Sequence, residues 1–136
     1  MDGASNDWIA QRSIELLTTT KPKNLILQWS YIHRRQVDDQ QLHFVKNTSE
    51  HDDIVNLCQN IIAVEQVKEL SNVIHSTIPY RYLRYPRILD KIIKKNLPND
   101  VKFITPVIQL DLARDGHHYD QLTSQIYADR YAELIV

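Results

Sequence analysis

The segment DGHHYD, residues 115–120, places two histidines and two aspartates next to one another, just ahead of an amphipathic run. Asp115 and His118 stand three residues apart, with Gly116 between them. At this spacing a carboxylate can reach an imidazole, fix its tautomer and stabilise the imidazolium that forms during general-base catalysis. The pair therefore predicts the acid–base half of a hydrolytic site, which a serine from another segment would complete.

Two other interpretations of this segment remain open. The first is a polar turn that caps the terminal helix, with Asp120 as the N-cap. The second is a metal site built from Asp111, Asp115, His117 and His118. Adjacent histidines usually point apart and the sequence has no HxH or HExxH spacing, so no metal is expected.

The elements around this segment alternate between helices and strands. Residues 5–19 have helical apolar spacing, with Ser5, Asn6 and Asp7 available as caps, and Pro22 ends that helix. The run Leu25–Leu27 then predicts a strand buried on both faces. Residues 101–110 predict a second strand, and the terminal helix begins near Asp120.

The middle of the chain is predicted to be mainly helical. Ser49 and Asp52 form a capping box for a long helix. Its apolar stripe is Ile54, Leu57, Cys58, Ile61, Ile62, Val67, Leu70 and Ile74. Another helix has Pro86 in its first turn and ends before Pro98.

Strands separated by helices predict an α/β fold, with a parallel sheet between two helical layers, in one domain spanning residues 1–136. Two strands are too few for a stable open sheet, since typical sheets have about four to six. A strand is therefore either missing from the chain or not recognisable in the sequence.

Composition restricts the function classes. The formal net charge is −1, from 16 Lys+Arg and 17 Asp+Glu, which does not favour nucleic acid as a partner. Membrane-spanning and signal segments are not recognisable, so a cytoplasmic protein is expected, and the single cysteine, Cys58, fits a reducing compartment. Only Gly3 and Gly116 occur, which excludes a glycine-rich phosphate loop, and no cofactor is expected.

The DGHHYD segment resembles the last sequence block of the SGNH, or GDSL-type, hydrolase superfamily, in which an Asp precedes the catalytic His by three residues before the C-terminal helix. Residues 2–30 are similar to its second block, a glycine leading into a helix, and to the strand that follows. The resemblance implies a three-layer, flavodoxin-like fold. It also implies that His118 is the general base, Asp115 its orienting carboxylate, and the Gly3 N–H an oxyanion donor.

Two blocks of that superfamily are not matched. A strand ending in Gly-Asp-Ser, which carries the nucleophile, has no counterpart, and WSYIHRR stands in place of Gly-x-Asn-Asp. Only four residues precede Ser5, too few for the strand that a nucleophile elbow requires. We therefore expect a domain incomplete at its N-terminus that hydrolyses a small ester or acylated substrate in its complete form and is inactive alone.

Several further residues are candidates for substrate binding. Trp29, Ser30 and Arg35 follow the first strand, where an arginine could hold an anionic group, although a core tryptophan and an exposed arginine are equally consistent with the sequence. Residues 80–87, YRYLRYPR, interleave tyrosines and arginines as single-stranded nucleic-acid sites do. Because the rest of the chain is not basic, we expect these side chains to pack over a loop instead.

The competing function class is a non-enzymatic interaction or binding module on a degenerate hydrolase fold. In that case the absent strand leaves a sheet edge or an apolar face that a second copy or another chain covers.

Overall fold

The computed structural model describes residues 4–32, 35–37, 40–42, 49–80, 84–116 and 118–136. Within those ranges the elements alternate between helices and short strands. In chain order they are α1 (Asn6–Thr19), β1 (Asn24–Trp29), β2 (Arg35–Val37), β3 (Gln40–Leu42), α2 (Glu50–Val67), β4 (Asn72–Thr77), α3 (Arg84–Asn96), β5 (Lys102–Phe103) and α4 (Gln121–Leu134).

Three of the strands form one parallel sheet in the order β1-β4-β5. Along β1 and β4 the register runs from Asn24 opposite Asn72 to Trp29 opposite Thr77. Strands β2 and β3 form a separate antiparallel pair. The predicted α/β class with a parallel sheet is thus confirmed.

The central strand, β4, was not predicted, and the prediction that put Ile74 in the long helix is wrong. Helix α2 ends at Val67. Glu69 then adopts a φ of 49°, and Leu70 is fully exposed. A left-handed residue cannot continue a right-handed helix, so the chain turns and enters the sheet, where all six residues of β4 are buried. This strand accounts for part of the shortfall in the strand count.

Strand β1 is an edge strand among the described residues and is buried on one face only. Leu27 and Trp29 are buried, whereas Ile26, on the opposite face, is 39% exposed. The expectation of a strand buried on both faces is therefore wrong at Ile26. The second predicted strand is also shorter than expected, because Pro106 has no N–H for a ladder, and the pairing resumes only as a bridge between Tyr80 and Ile108.

The helices cover the two faces of the sheet. His75 contacts Glu65 of α2 and its neighbour Ser76 contacts Tyr131 of α4, so α2 and α4 lie on opposite faces. Helices α1 and α3 both pack against α2. The core between them and the sheet includes Ala10, Leu17, Leu27, Trp29, Ile54, Leu57, Ile61, Val64, Val73, Leu89 and Ile93.

The predicted helix starts are confirmed for α1 and α2. Ser5 caps α1 by accepting a hydrogen bond from the Trp8 N–H at 3.2 Å. Ser49 and Asp52 form the predicted capping box of α2. Caps of this kind satisfy N–H groups that have no partner inside the helix, which explains why the sequence locates helix starts well.

An amide clasp fixes the end of α4 to the amino ends of β1 and β4. Asn72 Nδ2 donates to Asn24 Oδ1 at 2.8 Å and to the Leu134 carbonyl at 2.9 Å. Asn24 in turn donates to the Val136 carbonyl at 3.0 Å and accepts from the Val136 N–H at 3.1 Å. Helix α4 is therefore held at this end by hydrogen bonds between residues far apart in the chain.

Candidate active site

The turn at residues 113–118 carries the two residues singled out in the sequence. The Ala113 N–H donates to the His118 carbonyl at 2.8 Å, and the Gly116 N–H donates to the Ala113 carbonyl at 2.9 Å. Gly116 has a φ of 71°, a left-handed conformation that a residue without a Cβ adopts at little cost. The Asp115 and His118 side chains thus lie on the same side of the turn, where they can contact each other.

Asp115 and His118 form a hydrogen-bonded pair, as the spacing predicted. The distance from His118 Nδ1 to Asp115 Oδ2 is 2.5 Å, and Asp115 Oδ1 accepts from the His118 N–H at 3.1 Å. A carboxylate on Nδ1 places the hydrogen of the neutral ring on Nδ1 and leaves Nε2 as the acceptor. The side chains are 79% and 48% exposed for His118 and Asp115, so a molecule from solvent can reach both.

The turn is anchored at the carboxyl end of β1. Tyr119, directly after His118, donates its hydroxyl hydrogen to Gln28 Oε1 at 3.1 Å. Gln28 is the penultimate residue of β1. The Asp115–His118 pair therefore lies near the carboxyl edge of the parallel sheet, the edge at which open α/β sheets bind ligands.

Asp111, not Asp120, caps the start of α4. Asp120 occupies the N-cap position but makes no capping hydrogen bond with its side chain. The Asp111 carboxylate accepts from the N–H groups of Asp120, Leu122 and Thr123, and from the Thr123 hydroxyl at 2.5 Å. Desolvation acts to raise the pKa of Asp111, but these hydrogen bonds outweigh it and lower the pKa. Asp120 is therefore at the N-cap position, but the prediction that its side chain caps α4 is wrong.

Trp29 lies in the core and not on an accessible surface. Its side chain is fully buried and lies nearly parallel to the His75 ring, with ring centroids 5.9 Å apart. Trp29 Nε1 donates to His75 Nδ1 at 3.2 Å, and His75 Nε2 lies 2.7 Å from Glu65 Oε1. Since the indole can only donate, His75 carries its hydrogen on Nε2 and donates it to Glu65. Trp29, His75 and Glu65 thus form a buried polar array that sequence reasoning missed.

Ser30 is held by Asn6, another residue that sequence reasoning missed. Asn6 is fully buried; its Oδ1 accepts from the Ser30 N–H at 2.8 Å, and its Nδ2 donates to the Ser30 and Tyr31 carbonyls at 3.4 Å each. Ser5, just before it, is 1% exposed and serves as the cap of α1. The sequence marks Asn6 only as one of three possible caps of α1, and its contact to residue 30, 24 positions away, leaves no local signal.

The other sequence candidates are placed only in part. Gly3 and His117 lie outside the described residues, and of Arg35 only the backbone, in β2, is described. In the tract 80–87, Tyr80 is half-buried and Arg87 is exposed. Among the site residues predicted from the sequence, only Asp115 and His118 form a side-chain hydrogen bond with each other that the structure describes.

A groove of about 330 Å³ lies between β1 and α4, next to the turn. Its lining residues are Ile26, Gln28, Tyr119, Ser124, Tyr127, Ala128 and Tyr131. Tyr127 donates to the Thr77 carbonyl at 2.6 Å, and Tyr131 lies 2.6 Å from the Ser76 hydroxyl. Burial raises the pKa of both phenols, so both stay neutral near pH 7. The groove therefore has aromatic walls that carry no charge.

Other chemistries find little support in the part of the chain that is described. Its residues contain no cluster of three or more His, Cys, Asp or Glu able to hold a metal ion. Cys58 is buried, and burial raises the pKa of its thiol to about 11, so this thiol is not a nucleophile at neutral pH. None of the described helices is long and apolar enough to cross a bilayer.

Comparisons of the chain with protein-family models, with curated proteins and with solved structures give no match. The functional assignment therefore depends on the chemistry of the residues described above.

Proposed function

We propose that this chain is an SGNH-hydrolase-like domain that contributes the general base and its orienting carboxylate to the hydrolysis of an ester or acyl group. The observation that carries the proposal is the 2.5 Å contact between Asp115 Oδ2 and His118 Nδ1, which leaves Nε2 open to solvent at the carboxyl edge of the sheet. A small ester or acylated molecule is the substrate class, and the flavodoxin-like arrangement is the corresponding fold type. A free, buried Cys58 agrees with a cytoplasmic location.

In this proposal each residue has one task. His118 Nε2 accepts the proton of a serine hydroxyl as its oxygen attacks the ester carbonyl, and then returns that proton to the leaving alcohol. Asp115 keeps the hydrogen of the ring on Nδ1 and stabilises the imidazolium. The resemblance assigns the oxyanion donor to the Gly3 N–H, which lies outside the described residues. A positioned base of this kind contributes about 10²–10⁴-fold to the rate.

We expect residues 1–136 alone to show little or no esterase activity, because neither Ser5 nor Ser30 is placed as a nucleophile. Ser5 is buried and its Oγ accepts the capping hydrogen bond of α1. The backbone of Ser30 is fixed by Asn6. A hydrolase nucleophile stands on a sharp turn from a strand into a helix. Ser30 follows β1, but the next described element is β2, and no described strand precedes Ser5.

A second candidate function, an interaction module, is favoured by a different observation. Strand β1 pairs only with β4 among the described residues and leaves Ile26 39% exposed beside an open groove. Apolar edge strands of this kind are templates for pairing with another chain. In this case the function is the docking of a strand and needs no catalysis.

The test of the first candidate compares hydrolysis of a short-chain aryl ester, and labelling by a fluorophosphonate, in the chain alone and in a form extended by a strand ending in Gly-Asp-Ser. We expect no activity in the chain alone and turnover in the extended form that is lost in His118→Ala. His51→Ala, which changes an exposed histidine in the first turn of α2, is the matched control and should keep the turnover.

Two results would contradict the proposal. Labelling of Ser5 or Ser30 in the unextended chain, lost in His118→Ala, would show that the nucleophile is already present. Equal turnover of the extended form and of its His118→Ala variant would show that the Asp115–His118 pair has no role in catalysis. Nitrogen NMR of the imidazole adds a readout that needs no activity, because Asp115→Asn should shift the His118 tautomer and leave that of His51 unchanged.

A further inference from the structure

We propose that the open edge of β1 pairs with β1 of a second copy of this chain, antiparallel and centred on Ile26, to join the two sheets into one. The inference names a partner for the second candidate function and does not depend on the Asp115–His118 pair. Its test measures assembly and not activity, so its failure and that of the hydrolase proposal are distinguishable.

The main-chain groups of β1 alternate between those that face β4 and those that face away from it. The carbonyls of Lys23 and Trp29 accept from the N–H groups of Asn72 and Ile78 in the direction of β4. In a strand the N–H and C=O of one residue point to the same side and alternate along the chain. The even-numbered residues Asn24, Ile26 and Gln28 of β1 therefore direct their main-chain groups outward, and the described residues give these groups no partner.

The ends of this open stretch are closed by two neighbouring residues. Pro22, the preceding even-numbered residue, has no N–H. Ser30, the following one, has its N–H and its C=O bonded to the Asn6 side chain, which takes the place of a neighbouring strand. Three residues with outward donors and acceptors thus remain, and Ile26 is at their centre.

This pattern allows one two-fold register that uses every open group. With Ile26 opposite Ile26 of the second copy, Asn24 faces Gln28 and Gln28 faces Asn24, and each pair exchanges two hydrogen bonds. A shift of two residues one way sets Gln28 opposite Pro22, which cannot donate. A shift the other way sets Asn24 opposite Ser30, whose groups Asn6 already holds. Such self-complementarity is what a two-fold interface requires.

Side chains and charge favour the same arrangement. Strand β1, NLILQW, carries no charged residue, so nothing repels a second neutral strand. The nearest cations, Lys21 and Lys23, precede the strand, and antiparallel pairing places them opposite the aromatic Tyr31 and Trp29 of the second copy. Parallel pairing in register would set like charges side by side instead. On the α4 face, Ile26 of the second copy lies at the mouth of the groove that Ile26 lines.

The test measures the oligomeric state of the whole chain by sedimentation velocity and light scattering. We expect a concentration-dependent dimer whose Kd rises by at least about tenfold in Ile26→Lys, because two cations then face each other at the axis. Leu16→Lys is the matched control: Leu16, on α1, is 40% exposed against 39% for Ile26, and its variant should remain dimeric. Far-UV circular dichroism confirms that both variants fold.

A disulfide test checks the register. Antiparallel hydrogen-bonded pairs have Cα atoms about 5.5 Å apart, within the range that a disulfide spans, so Ile26→Cys should cross-link to its own copy on mild oxidation. Gln28→Cys is the control, because the two copies of residue 28 would lie about 14 Å apart along the paired strands and should not cross-link.

Three results would overturn the inference. The first is a wild-type chain that stays monomeric at all concentrations. A chain whose β1 edge pairs only with an added Gly-Asp-Ser strand counts as the same result. The second is a dimer that Ile26→Lys leaves as tight as before, which would place the interface elsewhere. The third is efficient cross-linking of Gln28→Cys in place of Ile26→Cys, which would exclude the register.

Discussion

Glu65→Gln is expected to lower the free energy of unfolding at neutral pH and to remove part of its dependence on pH. The Glu65 carboxylate receives the His75 Nε2 hydrogen bond at 2.7 Å and also pairs with Lys68. Burial acts to raise the pKa of Glu65, but the hydrogen bonds from His75 and Lys68 outweigh it and lower the pKa. The ionised carboxylate is therefore the form that stabilises the fold.

The magnitude follows from the kind of hydrogen bond that is lost. A hydrogen bond to a charged group contributes about 1.5–3 kcal/mol and one between neutral groups about 0.5–1.5 kcal/mol, so the amide should cost about 1–2 kcal/mol. The Glu65 side chain is only 12% exposed, so solvent screens this contribution little. Because the folded pKa is lowered, the stabilisation is complete above the unfolded value of about 4.3 and is lost as the pH falls through the folded pKa.

The assay is urea unfolding followed by circular dichroism between about pH 7 and pH 3. The difference between wild type and Glu65→Gln should be largest at neutral pH and shrink towards zero in acid, while His75 is present in both proteins. Glu69→Gln is the control, since Glu69 is 65% exposed in its pair with Lys21 and should contribute about 0–1 kcal/mol. A Glu65→Gln difference that stays constant with pH, or an equal effect of Glu69→Gln, would refute the reasoning.

Three further outcomes are expected. Asn6→Ala should lower the free energy of unfolding by about 1–3 kcal/mol in urea titrations, because it leaves the Ser30 N–H without its acceptor; an unchanged midpoint would contradict the role of Asn6. Asp111→Asn should lower the Tm more at neutral pH than below the ordinary carboxyl pKa of about 3.9, and the exposed Asp129→Asn should have little effect. Cys58, with a pKa of about 11, should react with a thiol reagent only at the unfolding rate, so rapid labelling of the folded chain would be inconsistent with its burial.

The sequence predicted elements whose signals are local. The start of α1 at Ser5 and the capping box of Ser49 and Asp52 were predicted because each cap bonds to a residue three positions away. The Asp115–His118 contact was predictable for the same reason, since a three-residue turn is enough to form it.

The central strand could not be recognised because most of its buried residues are polar. His75, Ser76 and Thr77 are each 0–1% exposed, yet a sequence offers no sign that a polar residue is buried. The partners of His75 and Ser76 come from α2, β1 and α4, up to 55 positions away. Ile74 also continued the helical spacing of α2, so periodicity alone favoured the wrong element.

Two long-range contacts near the candidate site leave no local signal in the sequence. Asn6 reaches Ser30 across 24 positions, and Asp111 reaches Thr123 across 12. Side chains that bridge distant segments follow from the fold and cannot be inferred from local spacing. The nearer residue Asp120 therefore looked like the better cap for α4.

The amide clasp has a consequence for how the chain folds as it is made. It joins Asn24 to Val136, residues separated by 112 positions, so β1 and β4 are synthesised long before their partner in the clasp emerges from the ribosome. During that interval the sheet face that carries Ile74 and Ser76 has no α4 to cover it. Domains fold largely as units once their residues are available, and open apolar faces attract chaperones. Docking of α4 should therefore be the step that ends the exposure of the nascent chain.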